Sequence, residues 1–499
     1  MRRALLIFLG LALVTFLEFC YFPGHSYLQG ESQTFVPMLE RLDAPGFLSR
    51  DLVAISPHLT YTIYDEVTLF LHRLTKQSFE NVLLGQLLLS RAAALLGIFL
   101  LILSTGLNAV CSVLLSALIN LGAALPGIDE LLIGREPVPH VLAFGFTLLA
   151  LGCLADRKPL LASFAGGVAL AYHAPIAALF WLIAFILLFD RKLRPLVRPM
   201  LPIFVVFALL LANLAQLQPG VVEPQSFFSQ ISKNWSRLQQ EQTPSVWVGT
   251  WAGKFIWIYL GVFALGAYAT ARIWPTLNRP SRWLFVVLPS CGILSVPFSA
   301  FFLDYLRWSL ISQLQPARTL LFTVALASVA FGLAGIQALQ KRRTPEACLW
   351  FLLIAAVPLS AAVFQHEGRI PEPVGIEEVA TWAEANTWGS SMFLFPDAGR
   401  ALYPGVFRAR AVRAVYVDWN SRQLTKYFEK FALEWDRRWR ETMSEAYSPQ
   451  RLNRFRKLPI DYYVLQRRHQ LAGAAPVFAS ENFVVYDAQD LKNRTTLFQ

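Results

Sequence analysis

The sequence predicts a mainly α protein: a polytopic transmembrane bundle of about 11 helices, N-terminus inside, with a small α/β extracytoplasmic domain at the C-terminal end. Three observations carry that prediction. Of 499 residues, 55% are hydrophobic and only 15% charged, where a soluble domain has about a quarter charged. The apolar residues fall into runs close to the length that crosses a bilayer. Those runs stop at Phe364, after which charge returns sharply.

A bilayer-crossing helix needs about 20 mainly apolar residues, fewer when sheltered by neighbours. Candidate segments lie near 4–21, 82–103, 106–125, 140–155, 159–172, 175–189, 200–217, 252–273, 283–303, 319–339 and 346–364. The first resembles a signal peptide, but Glu18, Phe19 and Tyr21 stand where small residues would be needed for cleavage, so we read it as a retained helix. The fifth and sixth are short and are divided by His173 and Pro175. The five cysteines lie in or beside apolar segments without a CxxC pair, the pattern of small buried hydrophobes.

Orientation follows from Lys and Arg in short loops. Arg2 and Arg3, Arg157 and Lys158, the cluster Arg191 to Arg198, Arg272 to Arg282, and Lys341 to Arg343 all fall on one side. This pattern also accounts for much of the formal net charge of +11, which therefore does not indicate nucleic-acid binding. With the basic loops inside, Tyr21–Asn81, Pro126–Pro139, 218–251, Asp304–Arg318 and the C-terminal region lie outside.

The loop Tyr21–Asn81 is long and acidic, and long loops in compact proteins are commonly functional. Phe35, Met38, Leu39 and Leu42 recur at helical spacing, as do Ile63, Val67, Phe70, Leu71 and Leu74. The spacing predicts two amphipathic helices lying in the membrane interface, with breaks at Pro45-Gly46 and Ser56-Pro57. The bundle with this loop forms one unit, 1–364, and residues 365–499 a second. There the pattern predicts helices at Ile376–Asn386, Ser421–Glu441 and Pro449–Arg456. It predicts strands at Met392–Phe395, Ala414–Val417, Tyr462–Leu465, Val477–Ala479 and Phe483–Tyr486.

Polar residues at the outer helix ends converge on the first loop. Glu31, just after Gly30 and before a helix, can serve as a general base or cap the positive end of that helix. Asp51 can assist it or bind a metal, or pair with Arg50. His173 interrupts an apolar stretch and can contact a phosphate or hydroxyl, or pack against a backbone carbonyl. Arg318 and Arg307 belong to the last outer hinge. A guanidinium there suits a lipid phosphate, and it can equally snorkel to the headgroups. Asp129 and Glu130 are the candidate metal ligands. No Walker, HExxH, GxSxG or dinucleotide motif occurs.

One helix, a long outer loop, a helix bundle and an outer C-terminal domain together resemble the GT-C class of membrane glycosyltransferases. That resemblance implies a sugar donor on a polyprenyl-phosphate or pyrophosphate carrier and an acidic base in the first outer loop, the position of Glu31. It also implies a second acid in the next outer loop, matched by Asp129 or Glu130, and allows a divalent cation as cofactor. Phe22-Pro23-Gly24-His25, Pro57-His58 through Tyr64-Asp65-Glu66, Tyr172-His173-Ala174-Pro175 and Gln315-Pro316-Ala317-Arg318 resemble a group of uncharacterised bacterial membrane proteins. So do Phe407-Arg408, Val417-Asp418-Trp419 and Glu434-Trp435-Asp436-Arg437-Arg438 in the outer domain. The expected setting is therefore the bacterial cytoplasmic membrane, with membrane lipids and a polyprenyl-linked sugar as partners and no nucleic acid. The alternatives are a transporter or flippase of lipid-linked glycans, and a membrane assembly scaffold.

Overall fold

The computed structural model describes residues 2–56, 62–214, 229–367 and 375–493. The Ser56-Pro57 break, the Pro57-His58 motif and the end of the seventh apolar segment reach outside the described residues. Among those described, seven helices are long and apolar enough to cross a membrane: Arg3–Cys20, Phe79–Leu103, Arg194–Leu214, Gly253–Thr276, Arg279–Tyr305, Ser309–Gln340 and Thr344–His366. Four shorter apolar helices, Ala109–Asn120, Pro139–Ala155, Pro159–Tyr172 and Ala174–Leu187, complete the bundle. Each predicted segment thus has its helix. The third is shorter than expected, because Ala124–Leu125 leaves it to pair with Glu130–Leu131 as a small antiparallel hairpin.

Small residues set the closest approach in the bundle. A Cβ on Gly97 would lie 2.3 Å from the backbone of Leu148, and one on Gly152 would lie 2.1 Å from the Gly97 carbonyl. The helices Phe79–Leu103 and Pro139–Ala155 therefore touch backbone to backbone, as small-residue faces allow in membranes. At one end of the bundle the basic loops gather: Asn278 donates to the Ala155 carbonyl, and Arg279 pairs with Asp190 at 2.8 Å. The long loops and the C-terminal domain occupy the other end.

In the first loop, helix α1 (Ser32–Asp43) buries Val36, Met38 and Leu39 within the protein. It does not lie on the membrane as expected; the C-terminal domain covers it, with Gln33 donating to the Leu402 carbonyl and Asn420 to the Gly30 carbonyl. Helix α2 (Tyr64–Thr75) does keep Phe70 and Leu74 exposed, as an interfacial helix should.

The C-terminal domain is α/β. Strands β1 (Met392–Leu394), β2 (Ala414–Val415), β3 (Tyr462–Gln466), β4 (Phe478–Ala479) and β5 (Phe483–Asp487) lie in the order β2-β1-β3-β5-β4. β1 is parallel to both β2 and β3, and β5 is antiparallel to β3 and β4. Ala488–Asn493 adds a short helix that the sequence reading lacks, and two further elements differ from it. Tyr403–Ala411 is helical, with Pro404 tolerated in its first turn. The helix expected over Ser421–Glu441 is divided into a 3₁₀ segment, Asn420–Lys426, and a helix, Glu429–Thr442. Phe428 is extended between them, so Lys426 turns toward the bundle rather than along a helix face.

Candidate active site

The site begins where α1 begins. Glu31 precedes the helix, yet its side chain makes no capping hydrogen bond. Glu136, from the loop that leads into helix Pro139–Ala155, takes that role: its carboxylate accepts from the backbone N–H of Gln29 at 2.9 Å and of Ser32 at 3.0 Å. Gly30 makes room for it, since a Cβ there would lie 3.0 Å from Glu136 Oε2. With the helix end satisfied from elsewhere, the Glu31 carboxylate is available for other contacts.

Those contacts come from three distant parts of the chain. Lys426 Nζ lies 2.8 Å from Glu31 Oε1, and Arg318 Nη2 lies 3.8 Å from the same oxygen. Arg318 Nε donates to Glu130 Oε1 at 2.6 Å. His140 stands between the two acids, Nδ1 3.8 Å from Glu31 Oε2 and Nε2 3.8 Å from Glu130 Oε1. The 3.8 Å contacts are electrostatic rather than hydrogen bonds. These side chains line a cavity of about 410 Å³ together with Gln29, Asp129, Arg135, Gln315 and Gln423.

The two acids are driven apart. Burial alone would raise the Glu31 carboxyl, but Lys426, His140 and Arg318 together outweigh it and hold the group well below the usual carboxylate range. At Glu130 burial wins over Arg318, and the carboxyl is raised. Burial would lower the Lys426 ammonium, yet Glu31 raises it overall, so the pair is ionised.

The hinge sequence explains Arg318. Gln315 adopts a left-handed conformation, and Pro316 opens a 3₁₀ turn, Pro316–Thr319, ahead of the helix Leu320–Gln340. The turn aims Arg318 inward, so it does not snorkel. His173 caps the helix Ala174–Leu187, its Nδ1 accepting from the Ile176 N–H at 3.4 Å. Its ring lies 6.1 Å from that of His140, which puts it behind His140.

Two candidates are corrected. Asp51 is fully buried away from the cavity wall, where Oδ1 accepts from Val53 and Ala54 N–H and Oδ2 from Val415 N–H and Arg408 Nε. Its four acceptor positions are spent on joining the loop to the C-terminal domain, and Arg50 pairs instead with Asp461. Arg307 is exposed in a left-handed turn and its carbonyl receives the Ile231 N–H, so the hinge directs it away from the cluster. For the metal candidates, Asp129 is exposed on a left-handed turn, and Glu130 is engaged by Arg318. Among the described residues no group of three or more His, Cys, Asp or Glu is arranged to hold a metal ion.

Lys426, His140 and Glu136 complete the site without having been singled out as site residues in the sequence. His140 carried a weak signal, a histidine opening a membrane helix from the outer side. Lys426 carried none, being one basic residue in a segment that reads as a solvated helix.

No family model and no curated protein matches the chain, and the closer bacterial resemblance finds no counterpart there. Solved structures do align with it. The oligosaccharyltransferase of Archaeoglobus fulgidus is 11% identical, with 93% of this chain and 69% of that one covered at a TM-score of 0.47. ArnT from Cupriavidus metallidurans is 14% identical, with 97% of each chain covered at 0.44. The arabinofuranosyltransferase AftD from Mycobacteria is 15% identical, with 98% of this chain but 40% of that one covered, also at 0.44. At such TM-scores these likenesses carry no argument about the fold or the site, which are read from the chain's own residues.

Proposed function

We propose that this chain is an integral membrane glycosyltransferase, taking a sugar from a polyprenyl-(pyro)phosphate-linked donor at the outer face of the bacterial cytoplasmic membrane. The observation that carries this reading is the Glu31 carboxylate, relieved of capping and met by Arg318 and Lys426 in a polar cavity of about 410 Å³. Sugar transfer from a phosphate carrier needs a base for the acceptor hydroxyl and cations for the leaving phosphate, and both are present within one cavity. Glu31 is the base. Arg318 and Lys426 hold the phosphate, and Glu130 orients Arg318.

The position of the cavity supports a donor that reaches it from the lipid. Tyr21, Trp257 and Tyr305 are exposed near the helix ends on the cavity side, as aromatic residues are at a membrane interface. The basic loops lie at the opposite end, which supports an outer location for the cavity.

The test is transfer by the purified chain in lipid nanodiscs from a polyprenyl-phosphate-linked radiolabelled sugar. Glu31→Ala is expected to be less stable than the parent, since it leaves Lys426 unpaired, and its folded fraction is expected to transfer nothing. Full transfer by that variant would rule out Glu31 as the base.

A further inference from the structure

Glu31 Oε1 receives two cations that come from different parts of the chain, Lys426 Nζ at 2.8 Å and Arg318 Nη2 at 3.8 Å. Both cations are enclosed, their side chains 4% and 7% exposed. Enclosed cations require an anion beside them, because an unpaired buried charge is strongly destabilising. To such donors a carboxylate oxygen and a phosphate oxygen are equivalent acceptors. Arg318 is anchored through Nε on Glu130 at 2.6 Å, which leaves its outer edge turned toward Glu31 and the cavity. A guanidinium has donors enough for both tasks.

Building on the donor reading above, we propose that Glu31 occupies the seat of the donor's phosphate: Arg318 and Lys426 form a two-cation receptor that Glu31 fills until the phosphate arrives, and that arrival releases Glu31 to act as base. In the resting site Glu31 is a weak base, because Lys426, with His140 and Arg318, stabilises its ionised form against the effect of burial. When the phosphate takes both cations, burial remains and their pull is shared, so the carboxylate becomes more basic at the moment it is needed. The acceptor hydroxyl then gives its proton to Glu31 while its oxygen bonds to the anomeric carbon. The bond from that carbon to the phosphate oxygen breaks, and its electron pair leaves with the phosphate, whose charge the two cations hold. The exchange also keeps the base idle until the donor is seated, which protects against activating water.

The experiment measures binding of undecaprenyl phosphate to the full chain in nanodiscs, with undecaprenol as the control lacking phosphate. Glu31→Gln removes the competing charge at constant shape and is expected to bind undecaprenyl phosphate about tenfold tighter than the parent or better. Lys426→Gln is expected to bind it about tenfold more weakly. Glu31→Asp, which keeps the charge but draws it back from Lys426, is expected to fall between parent and Glu31→Gln and covers the case in which the Gln variant does not fold. Undecaprenol binding is expected to be the same in all. Unchanged or weaker lipid-phosphate binding by folded Glu31→Gln, or equal tightening toward undecaprenol, overturns the exchange while leaving the donor reading intact. Failure of parent and variants alike to bind undecaprenyl phosphate overturns both.

Discussion

Lys426 of the C-terminal domain and Glu31 of the first loop meet at 2.8 Å across 395 positions of sequence. The contact makes the C-terminal domain a wall of the cavity. Arg408 with Asp51, and Arg410 with Glu80, fasten the same domain to the same part of the chain. A site assembled this way depends on the docking of the two units as much as on any single side chain.

Arg318 serves Glu130 and Glu31 with different nitrogens of one planar group. Lysine keeps the charge but lacks the fork. Arg318→Lys is therefore expected to lose on the order of 10²-fold in kcat/KM, the scale of a misplaced reacting group. Steady-state transfer assays at varied donor concentration measure it, and parental kinetics in this variant would show that charge alone suffices.

Acid and base limbs of stability are assigned to two different glutamates. Burial outweighs the hydrogen bonds from Ser32 and Gln29 and pushes the Glu136 carboxyl from 4.5 up to about 7. The native state then holds a proton that the unfolded chain releases, so this group's contribution is greatest below pH 4.5 and declines as pH rises toward about 7. Glu31 behaves oppositely: its carboxyl is held below 4.5, so its contribution is present above that pH and is lost on further acidification. Thermal unfolding across pH should show Glu136→Gln flattening the limb between 4.5 and about 7, and Glu31→Gln reducing the loss below 4.5. Parallel curves for parent and Glu136→Gln would refute the assignment.

Asp51 is structural. Arg408 is buried between Asp51 and Asp418, with Nε 2.8 Å from Asp51. Asp418 still balances the Arg408 charge once Asp51 is removed, but the N–H groups of Val53, Ala54 and Val415 and Nε of Arg408 lose their buried acceptor, at about 1–3 kcal/mol for each group left unmet. Asp51→Ala is expected to lower the melting temperature markedly, while the protein that remains folded transfers at the parental kcat. A stable variant with a collapsed kcat would return Asp51 to the chemistry.

The contact between helices Phe79–Leu103 and Pro139–Ala155 tolerates no added atom on Gly97 or Gly152, where the obstacle is backbone at 2.3 and 2.1 Å. No side-chain rotation relieves a backbone clash. Gly97→Ala and Gly152→Ala should each destabilise by about 1–3 kcal/mol, read as lowered melting in detergent. Gly10→Ala, which meets nothing within 4 Å, is the control and should melt with the parent.

Much of this was legible in one dimension. Spans such as Phe79–Leu103 follow from apolar length, because a bilayer demands it of any sequence. Glu31 and Arg318 stood out as polar groups where topology brings loops together. Asp51 looked as eligible as Glu31, since nothing near it in sequence announces Arg408, more than three hundred positions away. Glu31 looked equally like a cap, and the choice fell to Glu136, which occupies the end of the helix first.

The sequence by itself determined the number and order of the apolar helices, the α/β character of the last domain, and the loop that carries the acid. Those depend on composition and local periodicity, which each segment bears alone. Only the tertiary structure decided that Glu31 faces Lys426 and Arg318, that Glu130 holds Arg318, and that Asp51 is spent on the domain contact. The physical reason is range. Helix formation and membrane insertion are decided within about 20 residues, whereas charge pairing acts across a few ångströms of space between residues the chain keeps far apart.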